Sequence, residues 1–328
     1  MKERLKKYKV VVAICGTLLF FAVLCQAFSL WQTHRTTRSN NPFSLIVATS
    51  TVNTATNTAI KSETKDLLDT YPKARVNMED FPVLTTDIYS IFFTDGRQHK
   101  YLKESRANEA VPIASITKLL TAIIALGNST FYTVTITPQA LIGEGSYGRY
   151  QPGDKLYLGE VVKSLLFESD NDAARQLCRD TNLNILPKMN NFATYIGLTD
   201  ATFYSCSGID NENGGMNVAS ARDVIVLLRY LLNNRSEFFA NAQNPTQVIN
   251  RSDSGLHHVA LSTYSELVAE LPFKVIAAKT GTEVVAKENI VVALQVPKGV
   301  VYISLLSSTD RKNDLQKMTD WLYNSYQW

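Results

Sequence analysis

The sequence predicts an α/β domain whose sheet is assembled from both ends of the chain, with a mostly helical stretch in between. Three observations predict it. The structured part opens on a β-rich run, PVLTTDIYSIFFTDGRQHKYL, with the turn dipeptide Asp95-Gly96 inside it. Three strand-like runs, FKVIAAKTG, NIVVALQV and VVYISLLSS, stand near the other end. Helical periodicity and polar caps recur over 115–126, 158–167, 172–180, 186–195 and 219–233, and again over 312–326.

At 328 residues and 45% apolar composition the chain can fill a real core. Its 33 basic and 30 acidic residues leave a formal charge of +3, so no excess points to a nucleic-acid partner. The basic bias is local to residues 1–9, MKERLKKYK, where Lys2, Arg4, Lys6, Lys7 and Lys9 face one acid, Glu3.

Residues 10–31 then carry no charge at all. As a helix such a run reaches roughly 30 Å, the thickness of a bilayer's hydrocarbon core, so 10–31 is expected to be a transmembrane anchor. The basic flank leaves the N-terminus in the cytoplasm and sends everything after Trp31 outside, as a single-pass protein of the cell membrane. A cleaved signal peptide is the rival reading, with Cys25-Gln26-Ala27 as a small-x-small site. The run exceeds the roughly 7 to 15 residues of a signal core, which favours the uncleaved anchor. Residues 32–79 turn to Thr, Ser, Asn and Lys and cannot bury enough apolar area to order themselves. They read as a tether, leaving 80–328 as the working domain.

Metal and nucleotide chemistry find little support. Of four cysteines, Cys15 and Cys25 fall in the anchor, and Cys178 and Cys206 form no CxxC. An oxidising exterior permits a Cys178 to Cys206 disulfide, and two buried thiols are equally compatible with the sequence. His34, His99, His257 and His258 lack HExxH spacing, and the adjacent pair is expected to point to opposite faces of a strand, so no metal is expected. GEGSYG at 143–148 fits GxGxxG, but Gln151-Pro152-Gly153 follows where a nucleotide-binding helix should begin. No cofactor is expected, and GxSxG is absent.

The chemistry lies elsewhere. In ASITKL, Ser115 and Lys118 are three apart, so on a helix they share a face within hydrogen-bonding reach. The run after Lys118 is apolar nearly all round, which marks a central helix. Burial there penalises an ammonium, and a neutral amine can take the proton of a serine hydroxyl. SxxK alone is weak: Ser62-Glu63-Thr64-Lys65 in the tether is a second copy. Downstream, however, Ser169-Asp170-Asn171 follows a predicted helix end and Lys279-Thr280-Gly281 ends a predicted strand. SxxK, SxN and KTG in this order form the signature of penicillin-binding proteins and class A β-lactamases.

From about Pro82 onward the chain resembles the serine D-alanyl-D-alanine carboxypeptidases, the low-molecular-mass penicillin-binding proteins. The resemblance is carried by VPIASITKLLTA, by YQPGDKLYLGEVVKSLLFESDNDAA and by SGIDNENGGMNVASARDVIVLLRYLL. It implies a β-lactamase-like α/β fold, an antiparallel sheet flanked by helices plus a mostly helical subdomain. It also implies removal of the terminal D-Ala from peptidoglycan stem peptides through a serine acyl-enzyme, with β-lactams as inhibitors. Ser115 would be the nucleophile, Lys118 the base and Ser169 a proton relay, while Asn171 would position Lys118 or the substrate. Lys279 would discourage a charge on Lys118 and, with Thr280, receive the substrate carboxylate. Gly281 would let substrate approach the strand, and the N–H groups of Ser115 and Thr282 would bind the oxyanion. Arg311 either adds to carboxylate binding or is an exposed structural arginine.

The chain departs from the family in three places: SDN where SGN is usual, Lys287 where the hairpin turn usually has glycine, and Glu283 where a small polar residue is common. A class A β-lactamase needs a glutamate after SxN for deacylation, and residues 171–211 contain none. A catalytically inactive wall-binding homologue is the third reading, against which all five of Ser115, Lys118, Ser169, Asn171 and Lys279 are present.

Overall fold

The computed structural model describes residues 72–210 and 214–328; the basic segment, the anchor at 10–31 and most of the tether lie outside the described residues. Among the described residues no helix is long and apolar enough to cross a membrane.

The opening hairpin forms as β1, Ile88–Thr94, and β2, His99–Ser105, joined through the Asp95-Gly96 turn, in which Gly96 has φ +87°. Asp95 Oδ1 accepts from the N–H groups of Arg97 and Gln98 and so closes the turn. A 3₁₀ turn, Ala114–Thr117, leads into α1, Lys118–Ala125, whose eight residues are all buried. Then come α2, Leu158–Phe167, α3, Asn171–Arg179, and α4, Leu186–Tyr195. Helix α5, Ala221–Asn234, starts on a capping box in which Ser220 and Asp223 each accept the other's backbone N–H.

A ribbon of β3, Thr246–Asn250, and β4, Leu256–Leu261, follows, and then three long strands: β5, Lys274–Glu283, β6, Lys287–Val296, and β7, Gly299–Ser308. Helix α6, Arg311–Ser325, closes the chain. The main sheet is antiparallel in the order β5-β6-β7-β1-β2, so strands from both ends of the sequence meet at the β7–β1 pair, where Ser304 faces Ser90.

The inner strands are apolar without alternation because both faces of the sheet are covered. Phe92 and Phe93 point to opposite faces. The first lies 4.5 Å from the guanidinium of Arg229 on α5, and the second 6.0 Å from the ring of Trp328 beyond α6. Residues before Asp80 also join the domain: Lys73–Ala74 pairs with Tyr326–Gln327, and Trp321 Nε1 donates to the Glu79 carbonyl at 3.0 Å.

Two local results bear on the expectations. Lys287 adopts φ +57° at the position where glycine is usual, so the turn keeps its left-handed geometry without the residue that favours it. The histidines do not point apart. Ile249 pairs with His258 but Asn250 pairs with Leu256, which leaves His257 as the extra residue of a bulge and turns both rings to one side. Their Nδ1 atoms are 2.6 Å apart.

Candidate active site

The nucleophile segment is a 3₁₀ turn running into an α-helix, not an α-helix from Ser115 on. In a 3₁₀ turn residues i and i+3 eclipse, which stacks Ser115 over Lys118. Lys118 Nζ lies 2.7 Å from Ser115 Oγ and donates at the same distance to Asn171 Oδ1 and to the carbonyl of Ser207. Lys118 is fully buried, whereas Ser115, Ser169 and Asn171 are half-buried and open toward solvent.

Asn171 is placed by the start of α3, where Asp170 caps the helix by accepting the Ala173 N–H at 3.0 Å. Its amide donates to the carbonyl of Gly145 at 3.2 Å. A Cβ on Gly145, which has φ +67°, would stand 2.3 Å from that amide nitrogen, so part of the GEGSYG loop serves close approach to the site. Ser169 itself is held at φ +62°, a strained conformation for a residue other than glycine.

Lys279 Nζ donates to Ser169 Oγ and to the Thr280 carbonyl, each at 2.8 Å, and is fully buried. Burial first, then the charges of Lys118 and Arg311, hold it well below the usual lysine range. The Thr280 hydroxyl is hydrogen bonded to that of Thr263 at 3.0 Å. A Cβ on Gly281 would lie 2.5 Å from the carbonyl oxygen of Ile113 and 3.1 Å from the backbone nitrogen of Ser115, so β5 runs directly beside the nucleophile turn.

Arg311 is half-buried and reaches the same strand edge: Nη1 donates to Thr282 Oγ1 at 2.7 Å and to the Gly281 carbonyl at 3.1 Å. Burial holds it below the usual arginine range, although Glu288 opposes this. Glu283 is pushed up by burial and by Asp210, whose carboxylate accepts the Val285 N–H. The sequence-expected residues Ser115, Lys118, Ser169, Asn171, Lys279, Gly281, Thr282 and Arg311 thus lie in one neighbourhood, whereas Thr280, expected with them, is buried with its hydroxyl on Thr263.

Sequence reasoning did not single out Ser207, because it acts through its carbonyl and no side-chain pattern marks that. The structure also resolves the cysteines: Cys178 and Cys206 form a disulfide with Cα atoms 5.8 Å apart. It ties α3, which carries Asn171, to the segment that carries Ser207, and so joins two of the groups that hold Lys118. Replacing both cysteines by alanine is expected to lower stability by about 2 to 4 kcal/mol, read as a lower denaturation midpoint. A midpoint equal to the parent's would contradict this.

Asp170, the residue that makes SDN from SGN, is raised to about 6 by burial and by the charges of Glu168 and Asp172. A carboxyl raised in the folded state contributes stability that is present at low pH and lost as pH rises through about 6. Asp170→Asn keeps a capping oxygen and cannot ionise. The variant is therefore expected to gain on the parent between pH 4 and 7, by up to roughly 3 kcal/mol. Thermal melts across that range check it; a constant difference between the two proteins contradicts it.

Among the described residues no group of three or more His, Cys, Asp or Glu side chains is arranged to hold a metal ion. The comparisons with known proteins identify a family. The D-alanyl-D-alanine carboxypeptidase family model matches residues 79–304. The chain is 23% identical over 261 residues to D-alanyl-D-alanine carboxypeptidase DacC of Escherichia coli, covering 74% of this chain and 63% of the relative. It is 27% identical over 190 residues to a D-alanyl-D-alanine endopeptidase of Haemophilus influenzae, covering 56% of this chain and 62% of that protein. The chain thus spans less than two thirds of the length of these curated relatives.

Among solved structures, a D-alanyl-D-alanine carboxypeptidase from Mycobacterium tuberculosis superposes with a TM-score of 0.67 at 22% identity, covering 76% of this chain and 96% of its own. Penicillin-binding protein D2 from Listeria monocytogenes, in its ampicillin-bound form, gives 0.62 at 22% identity, covering 73% and 98%. These likenesses establish the penicillin-binding-protein fold. With the family match extending over residues 79–304, the chain belongs to the D-alanyl-D-alanine carboxypeptidase family.

Proposed function

We propose that this chain is a serine D-alanyl-D-alanine carboxypeptidase that works through an acyl-enzyme, held at the membrane by residues 10–31. One observation carries the chemistry: the placement of the Lys118 amine. Asn171 Oδ1 and the Ser207 carbonyl can only accept, so a neutral amine gives them its two hydrogens and keeps its lone pair for the Ser115 hydroxyl. Lys279 stands nearby, where burial and neighbouring cations hold its own amine well below the usual lysine range, so two protonated amines side by side are disfavoured.

The steps follow from these positions. Lys118 takes the Ser115 proton as Oγ attacks the carbonyl carbon of the penultimate D-Ala, and the carbonyl oxygen becomes an oxyanion facing the N–H groups of Ser115 and Thr282. As the C–N bond breaks, the proton passes through Ser169, next to Lys279, to the departing amine of the terminal D-Ala. Thr282 and Arg311, linked at 2.7 Å, would receive the substrate's carboxylate in place of Thr280, whose buried hydroxyl is engaged with Thr263. Water then hydrolyses the ester: its oxygen ends in the product carboxyl group, one of its protons restores the Ser115 hydroxyl, and the other leaves with the product acid.

The absence of glutamate from residues 171–211 favours slow hydrolysis of a β-lactam ester, so β-lactams are expected to inhibit. The fold neighbour from Listeria bound to ampicillin is consistent with that reading. Mass spectrometry of a pentapeptide ending in D-Ala-D-Ala, incubated with the protein, tests the activity. Loss of one alanine is expected; an unchanged mass contradicts it.

A further inference from the structure

The bulge at His257 creates a line of buried polar groups that ends next to Ser169. His257 Nε2 is 3.0 Å from Asp154 Oδ2, and His258 Nε2 is 2.7 Å from Glu168 Oε1. The side chains of His257 and His258 are only 1% and 9% exposed. Carboxylates accept and do not donate, so each Nε2 carries its hydrogen. The two Nδ1 atoms then face each other at 2.6 Å. Two neutral rings would oppose lone pair to lone pair, and two imidazolium rings would oppose hydrogen to hydrogen. One proton between the two nitrogens is the state that satisfies the contact.

The surroundings suit a single positive charge. On one side stands Asp154, which also receives Arg251 Nη1 at 2.7 Å and the Gln151 N–H. On the other stands Glu168, which Arg149 approaches at 3.2 Å and which accepts the Ser164 hydroxyl at 2.8 Å. Ser164 Oγ also reaches Asp170, at 3.3 Å. The Tyr150 ring packs 5.0 Å from His257 and 5.8 Å from His258. Glu168 immediately precedes Ser169, whose left-handed backbone and bond to Lys279 need a fixed neighbour.

We propose that His257 and His258 are positioning residues for acyl transfer: sharing one proton, they anchor Glu168 and thereby hold Ser169 against Lys279. The proposal rests on the carboxypeptidase reading above. Loss of the anchor misplaces the Ser169 hydroxyl, and a displacement of about 1 Å in a catalytic group costs roughly 10²-fold in rate.

The test uses the full chain, solubilised in detergent. Nitrogen NMR of the parent is expected to show a scalar coupling between the two Nδ1 atoms through the shared proton. His258→Phe should be labelled by a fluorescent penicillin roughly 10- to 100-fold more slowly than the parent. His258→Gln, whose amide can still donate to Glu168, should recover most of the rate. Absence of the nitrogen coupling overturns the proposal, as does parent-like labelling in both variants. A parent that is never labelled overturns the carboxypeptidase reading itself, a result distinct from labelled parent and unaffected variants.

Discussion

Replacing Lys118 with methionine is expected to lower the rate of acylation of Ser115 by roughly 10² to 10⁴, the range for loss of a positioned general base. Methionine fills much of the same buried volume, so packing of α1 is largely kept. What goes is the nitrogen that touches Ser115, Asn171 and the Ser207 carbonyl. The variant also leaves two acceptors without that donor, a cost of about 1 to 3 kcal/mol for a buried group. The loss should therefore appear in both rate and melting temperature. Stopped-flow acylation by a chromogenic cephalosporin, beside a thermal melt, separates the two; a folded variant that acylates at the parent rate would contradict the assigned base.

Gly281→Ala is expected to be the other severe change. The added methyl would stand 2.5 Å from the Ile113 carbonyl oxygen and 3.1 Å from the Ser115 nitrogen, and both of these are backbone atoms that cannot swing aside. Either β5 or the 3₁₀ turn must move, and that turn carries both the nucleophile and one of the oxyanion donors. A displacement of about 1 Å costs on the order of 10²-fold in rate, and loss of an oxyanion donor about 10²- to 10³-fold. The drop should fall mainly on kcat for the D-Ala-D-Ala pentapeptide. A variant with parent kcat and a raised KM would show that the glycine serves substrate entry alone.

Much of the site was legible because its parts are side chains at fixed spacings on regular elements. Ser115 and Lys118 are separated by one turn, and the apolar run after Lys118 marks the helix that buries it. Lys279, Thr280 and Gly281 lie on a strand whose burial the run VIAAKTG announces. The two chain ends meet in one sheet because β1 and β7 are both apolar on both faces and need neighbours.

Other features resisted because they depend on the backbone or on distant partners. Ser207 contributes a carbonyl, which every residue has. The strand pair of Lys73–Ala74 with Tyr326–Gln327 is two residues long, too short for any periodicity to show. Two adjacent histidines on a regular strand do diverge, and only the bulge opposite Asn250, which depends on the register of the partner strand, reverses that rule. The disulfide needed the distance between α3 and the Ser207 segment, which composition does not contain.

Ser115 Oγ is the atom expected to become acylated, and the mass of the intact protein after incubation with a penicillin tests this most directly. The expected result is a gain of one penicillin, located on the peptide that contains Ser115 and missing from Ser115→Ala. No gain in the parent, or an equal gain in Ser115→Ala, would contradict it.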